Sequence, residues 1–172
     1  FKVEKDLCPE DFLVDRKSSM PNTPANALIR LGAVGLGRAF TVMLPTFALD
    51  PRVKLVAGAD PIPEARQRFK QDFSAEVYKS LEDLIAGSRV DAVYLATPVE
   101  GHLDQVRLLA EAGIHILMEK PMALSINECL KISSIVKGSG VNLIVGHSHS
   151  FDTPYLKTRE LINTGDLGEV RM

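Results

Sequence analysis

Cysteine, net charge and long apolar runs are all scarce in this sequence, and each shortage excludes a class of protein. With only Cys8 and Cys129 present, neither a disulfide framework nor a cysteine-rich zinc site is expected. The 20 basic and 22 acidic side chains leave a formal charge of −2, which argues against nucleic acid as a partner. No apolar run approaches the roughly 18 residues that cross a bilayer, and the opening residues contain no signal-peptide block. We therefore expect a cytoplasmic protein with no membrane contact.

The chain divides into a polar leader, one α/β domain and an unfinished ending. Residues 1–26 contain three prolines and are predicted to form a flexible N-terminal extension. From 27 to 150, short β-prone runs alternate with longer amphipathic stretches, a pattern that predicts a doubly wound parallel sheet of the Rossmann type. Residues 151–172 are predicted to be a connecting helix and the first strand, in EVRM, of a second α+β substrate domain. Only the start of that domain is expected in this chain.

The predicted strands and helices alternate along the domain, and several of the helices have recognisable capping residues at their ends. Strands are expected at residues 28–34, 53–59, 77–78, 92–96, 115–118 and 142–145. Helices are expected at residues 38–48, 63–73, 80–86, 101–112, 125–137 and 152–163. Ser80 and Ser125 are predicted to cap helices, and Gly113 and Gly138 to end them. One apolar stripe is expected to pack in the core, formed by Ile126, Cys129, Leu130 and Val136.

A glycine pair stands between the first predicted strand and the first predicted helix, in LGAVGLGRAF. Gly35 would permit a tight turn, and Gly37 would let the backbone approach a pyrophosphate at the positive end of the helix. The third position of this fingerprint holds Phe40 where glycine or alanine is usual. Taken alone, the turn is equally compatible with a tight connection that binds nothing. The predicted cofactor contacts here are Gly35, Leu36, Gly37, Arg38 and Ala39.

A carboxylate ends the second predicted strand. Asp60 stands 23 residues after Gly37, close to the roughly 20 typical of a residue that binds the adenosine ribose. Its charge would repel a 2′-phosphate, so NAD is favoured over NADP, while Arg66 and Arg68 nearby keep NADP open. Asp60 could also simply begin a turn before a proline, although that explanation leaves the spacing unaccounted for.

Three further motifs follow predicted strands: ATPVEGH at 96–102, MEKPMAL at 118–124 and VGHSHSFD at 145–152. Carboxyl ends of parallel strands share the edge of an open α/β sheet at which ligands bind. Together with GLGRAF, these motifs resemble the glucose-fructose oxidoreductase, inositol dehydrogenase and rhizopine-catabolism (Gfo/Idh/MocA) family. The resemblance runs from about residue 28 to the last residue. It implies an NAD(P)-dependent dehydrogenase with a small-molecule substrate, and we expect the full-length form to be a homo-oligomer.

The same resemblance implies roles for individual residues. Lys120 would be the catalytic residue beside the nicotinamide, where partial desolvation and the cationic ring would make its amine available for proton transfer. Without the resemblance, a solvated lysine at a strand end is the ordinary explanation. Further implied cofactor contacts are Thr97, Pro98, His102 and Glu119. As a lone histidine, His102 could equally cap or pack its helix.

His147 and His149 are two residues apart at a strand end, so their side chains can face one side. We expect them to contact substrate rather than a metal, because no third ligand is evident. Other family members often carry an arginine near this position, and the histidines are compatible with an acidic aromatic diol. The resemblance therefore implies oxidation of a cyclic diol or polyol, including an aromatic cis-dihydrodiol. The alternative is a non-catalytic dinucleotide-binding or regulatory module, and without its substrate domain the chain is expected to be inactive.

Overall fold

A computed structural model describes residues 27–148 and 152–169 and shows a parallel sheet with helices on both faces. The strands are β1 (Ile29–Val34), β2 (Val53–Ala59), β3 (Glu76–Tyr78), β4 (Ala92–Leu95), β5 (His115–Met118) and β6 (Leu143–Val145). The helices are α1 (Arg38–Leu49), α2 (Pro63–Phe73), α3 (Leu81–Gly87), α4 (His102–Glu111), α5 (Ile126–Ser139) and α6 (Thr153–Thr164). Each strand and helix predicted within the described residues is present, with its ends displaced by no more than two residues.

The strand order β3-β2-β1-β4-β5-β6 confirms the predicted Rossmann-type sheet. All neighbouring strands are parallel, and the chain reverses its direction of winding between β1 and β4. Val34 pairs with Leu95, which in turn pairs with Met118. The carboxyl ends of β1, β4 and β5 are therefore level, and the loops that follow them meet along one edge.

Two apolar cores cover the two faces of the sheet, because side chains on each strand alternate in direction. Helices α1 and α2 cover one face, where the larger buried residues are Leu31, Phe40, Phe47, Leu55, Phe69 and Tyr94. Helices α3, α4 and α5 cover the other, where they include Leu84, Leu95, Leu109, Met118 and Ile132. Burial on both faces explains why the strand sequences are apolar runs without a polar alternation.

Phe40, the departure from the glycine fingerprint, belongs to the first of these cores. It is 5% exposed, and its ring centroid lies 5.5 Å from that of Phe69 and 6.3 Å from that of Phe73. Room for this aromatic cluster comes from β2, where a Cβ on Gly58 would lie 2.7 Å from the Phe69 ring. The absence of a side chain at Gly58 thus lets Phe69 of α2 lie close against the sheet, next to Phe40.

Helix ends follow the sequence with one exception. Ser80 and Ser125 cap α3 and α5, each accepting a hydrogen bond at 3.2 Å from the backbone three residues on. Gly113 has a positive φ of 70°, as expected of a helix stop. The prediction for Gly138 was wrong, because α5 continues through it. Gly140, with a φ of +75°, ends the helix instead.

The predicted stripe on α5 was also wrong in part. Ile126 is 79% exposed and Leu130 is 58% exposed, whereas Ile132 is fully buried. At 100° per residue, the first two are turned more than about 100° away from Ile132. The face that packs into the core runs instead through Ile132, Ile135 and Val136, spaced three and four residues from Ile132.

Three predictions lie outside the described residues: the N-terminal extension, the position of His149 and the strand in EVRM. Helix α6 forms where a connecting helix was predicted and buries none of its residues. Within residues 27–148 and 152–169, no helix combines the length and apolarity needed to cross a membrane.

Candidate functional site

A crevice of about 440 Å³ opens at the carboxyl edge of the sheet, where the winding reverses between β1 and β4. Ligands of open α/β sheets bind at such a switch point. The lining includes five residues predicted from the sequence, namely Gly35, Gly37, Asp60, Thr97 and Pro98. It also includes residues that sequence reasoning did not select, among them Ile62, Lys79 and Gln105.

The two glycines of the turn meet different requirements. Gly35 has a φ of +84°, and a Cβ there would lie 2.5 Å from the carbonyl oxygen of Ala96, so only glycine fits. Gly37 has a φ of −82°, and nothing lies within 4 Å of the place its Cβ would occupy. Glycine at 35 is therefore needed for the fold, whereas glycine at 37 keeps the crevice clear beside α1.

The first turn of α1 borders this open space. Its N-cap is Gly37, which has no side chain to accept a hydrogen bond from the helix amides, and the first turn contains no acidic residue. Helices α3 and α5 differ, since each has a serine cap and an acidic first turn. The first-turn amides of α1, beginning at Arg38 and Ala39, are therefore left for an anion at the positive end of the helix. A pyrophosphate fits this arrangement.

Asp60 connects the glycine turn to the loop after β2. It is 8% exposed, and its carboxylate accepts hydrogen bonds of 2.8 Å from the backbone N–H groups of Leu36 and Ile62, one on each oxygen. A carboxylate has about four acceptor sites, so each oxygen can still receive a ribose hydroxyl. Arg66 is held nearby, where Nη1 donates to the carbonyl oxygens of Asp60 at 2.7 Å and Pro61 at 2.9 Å.

The loops after β4 and β5 are joined by His102, which is 1% exposed. Its Nε2 lies 3.1 Å from the carbonyl oxygen of Thr97, and its Nδ1 lies 3.2 Å from that of Met122. The Thr97 hydroxyl donates to Gln105 at 2.6 Å. His102 thus packs between backbone groups and does not line the crevice, so its effect on a cofactor would be exerted through the two loops.

Glu119 and Lys120 follow β5 directly. Glu119 accepts a hydrogen bond at 2.7 Å from the Tyr94 hydroxyl and one at 3.3 Å from the Lys120 backbone N–H. Burial raises the pKa of the Tyr94 phenol, and the bond to Glu119 raises it further. The Lys120 side chain is exposed, and its peptide bond to Pro121 is cis. The desolvation expected around Lys120 is therefore not supplied by the described residues.

Gly37 and Lys120 lie along the same edge of the sheet. Gly37 follows β1, Lys120 follows β5, and β4 alone separates these two parallel strands. Two strand spacings correspond to about 10 Å across the sheet. A dinucleotide on the α1 turn can therefore extend towards the amine.

The remaining predicted site residue in the described chain, His147, is exposed after β6. No group of three potential metal-binding side chains occurs in the part of the chain that the structure describes. Tyr94 and Gln105 were missed by sequence reasoning. Gln105 could have been found from the sequence, because it lies one helical turn after His102. The contact of Tyr94 with Glu119 could not, because it depends on the strand register that pairs Tyr94 with Leu117, two residues before Glu119.

Comparison with known proteins agrees with this geometry. The model of an oxidoreductase family with an NAD-binding Rossmann fold (GFO_IDH_MocA) matches residues 29–147. A 1-carboxy-3-chloro-3,4-dihydroxycyclohexa-1,5-diene dehydrogenase of Comamonas testosteroni is 44% identical over 144 residues, 83% of this chain and 36% of that protein. The inositol 2-dehydrogenase of Rhizobium meliloti is 33% identical over 147 residues, 84% of this chain and 43% of that protein.

A solved structure shows the same relation. The scyllo-inositol dehydrogenase of Lactobacillus casei, with bound NAD(H) and scyllo-inositol, superimposes with a TM-score of 0.77 at 26% identity. The match covers 83% of this chain and 43% of that one. The chain thus spans between 36% and 43% of the length of these relatives.

Proposed function

Because the chain belongs to the Gfo/Idh/MocA oxidoreductase family, we propose that it forms the cofactor-binding part of an NAD-dependent dehydrogenase. The proposed reaction oxidises a hydroxyl-bearing carbon of a cyclic diol or polyol. One observation carries this proposal: the first turn of α1, Asp60 and Lys120 all follow carboxyl ends of parallel strands and share one edge. Across the sheet, that edge offers a ribose acceptor after β2, an anion site after β1 and an amine after β5.

Each part of the edge has a proposed task. The α1 turn would hold the pyrophosphate, Asp60 the adenosine ribose, and the loops at Thr97 and Glu119 the nicotinamide half. Bound NAD would supply a hydride acceptor. Lys120 would bind the substrate oxygen and take its proton, while the carbon loses its hydrogen with both electrons and a carbonyl forms. Protons and electrons balance without a further reactant.

The substrate class that we favour is a cyclic cis-diol bearing a carboxylate. The Comamonas testosteroni relative is named for a carboxylated dihydroxycyclohexadiene, and it is 44% identical over the region compared. His147, exposed after β6, would hold the carboxylate together with His149. The ketone first formed from such a diol would enolise to a catechol, so aromatisation would drive the reaction forward. Inositols, named for two other relatives, form the second class to test.

We also propose that NAD is preferred to NADP. The Asp60 carboxylate would repel a 2′-phosphate, and Arg66 donates to two backbone carbonyls beside it. Lys79 in the crevice lining is the cation that would favour NADP.

Residues 151–172 are proposed to begin the substrate domain, for which the apolar side chains exposed on α6, such as Tyr155 and Ile162, are suited. Homo-oligomeric assembly and a cytoplasmic location stay predictions.

The non-catalytic alternative has lost part of its support. One feature of the sequence that favours it is Phe40, which stands at the third fingerprint position where glycine or alanine is usual. Phe40 is buried between α1 and α2 and is not among the residues that line the crevice.

Lys120→Ala tests the proposal in the longest protein that the reading frame encodes. We expect kcat to fall about 10²- to 10⁴-fold, because proton transfer loses its acceptor, while NADH affinity changes less than about threefold. Lys131→Ala, which removes an exposed amine from α5, is the matched control and should retain full turnover. Carboxylated cis-dihydrodiols and inositols would each be assayed with NAD and with NADP. Binding of NADH without turnover of any of these substrates would favour the regulatory module, and absence of NADH binding would refute both proposals.

A further inference from the structure

A buried phenol lies beneath the nicotinamide end of the site and has no part in the proposed reaction. Tyr94, on β4, is 1% exposed, and its ring meets that of Phe47 edge-on with centroids 5.0 Å apart. Its hydroxyl donates to Glu119 at 2.7 Å. A buried tyrosine hydroxyl needs a partner, and here that partner is a carboxylate at the ligand-binding edge.

The carboxylate of Glu119 is held between three strand ends. Tyr94 pairs in register with Leu117, two residues before Glu119, so both side chains lie on the face that α1 covers. The second carboxylate oxygen accepts a longer hydrogen bond, 3.3 Å, from the adjoining Lys120 backbone N–H. Gly146 lies alongside after β6, where a Cβ would be 3.7 Å from the oxygen that Tyr94 binds. The hydrogen bond from the Tyr94 hydroxyl is therefore the shorter of the two that the Glu119 carboxylate accepts here.

We propose that Tyr94 is a positioning residue that fixes the Glu119 carboxylate beside the nicotinamide and thereby favours the oxidised form of the cofactor. This inference rests on the proposed function, which puts the nicotinamide half at this loop. The oxidised ring is cationic and the reduced ring is neutral. A negative charge held in one place in a partly buried site therefore stabilises the oxidised ring selectively. A carboxylate free to turn towards solvent loses that selectivity.

Tyr94→Phe tests the inference because it removes one oxygen and keeps the ring that packs on Phe47. Dissociation constants for NADH and NAD would be measured on the 172-residue chain, NADH by its own fluorescence and NAD by competition. The chain contains no tryptophan, so indole emission does not interfere. We expect NAD affinity to fall about tenfold and NADH affinity to change less than about twofold.

Tyr78→Phe is a matched control. The Tyr78 hydroxyl donates to Glu76 at 2.6 Å, so the same atom is removed from the same kind of pair on β3. Neither dissociation constant should change. Glu119→Ala supplies a second test, because Tyr94→Phe should have no further effect on the NAD to NADH ratio once the carboxylate is gone.

The outcomes separate this inference from the proposed function. If the unaltered chain binds neither form of the cofactor, the proposed function fails. If it binds both and Tyr94→Phe leaves their ratio unchanged, the inference is overturned and the proposed function stands. Equal weakening of both forms, or an undiminished Tyr94→Phe effect in the Glu119→Ala background, would assign Tyr94 to packing alone and equally overturn the inference.

Discussion

The two ends of the proposed cofactor site differ in the groups that form them: mainly backbone groups at one end and side chains at the other. At the adenosine end, the main groups are backbone amides of the glycine turn, and Asp60 is fixed by two backbone N–H groups. At the nicotinamide end, side chains hold the loops, with His102 and Tyr94 reaching from one strand's loop to the next. Backbone sites depend on local conformation, whereas side-chain sites depend on how distant segments pack. Substitutions at the two ends should therefore fail in different ways.

The largest effect is expected at Gly35. Alanine there would place its Cβ 2.5 Å from the Ala96 carbonyl at a φ of +84°. Left-handed strain and the clash together should lower the free energy of unfolding by about 2–5 kcal/mol, enough to prevent stable folding in a marginal domain. Denaturant unfolding followed by circular dichroism would measure the loss.

Gly37→Ala is the paired variant for this test. Its φ of −82° suits alanine, and the Cβ would meet nothing within 4 Å. We expect stability within about 1 kcal/mol of the original and weaker NADH binding, because the methyl group would enter the space beside the α1 amides. Equal loss of stability in both variants would contradict the distinction between a glycine for folding and a glycine for the ligand.

The fold was accessible from sequence because its evidence is local. Apolar runs without alternation, helix spacing and two serine caps predicted every described strand and α-helix within two residues. The errors have local causes too. The end of α5 was assigned to Gly138 although Gly140 has the left-handed conformation, and its buried face was placed on Ile126 and Leu130 because apolar character alone does not fix which side of a helix meets the sheet.

For the site, the parts that depend on residues close together in the sequence were predictable, and the parts that depend on contacts between strands were not. The spacing from Gly37 to Asp60 is a property of one βαβ unit, and the structure brings both into one crevice. The partnership of Tyr94 with Glu119 crosses from β4 to β5 and depends on strand register. For His102, the sequence left open a role at the cofactor and a role in its own helix. The contacts of its ring with the carbonyl oxygens of Thr97 and Met122 show that it joins two loops.

His102→Phe tests the side-chain contacts at the nicotinamide end, and its effect should be smaller than that of Gly35→Ala. The new ring keeps much of the volume but removes both ring nitrogens, so the carbonyl of Thr97 or Met122 that accepts the imidazole N–H loses its donor. We expect the free energy of unfolding to fall by about 1–3 kcal/mol and NADH affinity to fall by about tenfold, because the loops after β4 and β5 separate. Thermal unfolding and NADH fluorescence would follow the two quantities.

His115→Phe is the corresponding control. His115 begins β5 at the opposite edge of the sheet, where it is exposed and its Nδ1 accepts from the Asn142 backbone at 3.0 Å. NADH affinity should be unchanged in this variant. Should His102→Phe bind NADH as tightly as the original chain despite its lower stability, the joined loops would have no bearing on the cofactor.

The smallest effect is expected at the amino edge, where Arg30 and Asp91 form a two-pronged ion pair with hydrogen bonds of 2.7 and 3.1 Å. Hydrogen bonding to Arg30 lowers the pKa of Asp91 below its ordinary 3.8, although partial burial opposes this shift. The pair therefore stabilises the fold above pH 3.8, and that contribution is lost as the pH falls through the lowered folded-state value.

Asp91→Asn should lower the unfolding temperature by about 2 °C near neutral pH, because both side chains of the pair are partly exposed and solvent screens them. The difference from the original chain should shrink as the pH falls below about 4. NADH affinity should stay within about twofold, since the pair lies a full strand length from the carboxyl edge. A fivefold or larger loss of NADH affinity would show that the amino edge of the sheet influences the cofactor site. The site would then not depend on the local groups at its two ends alone.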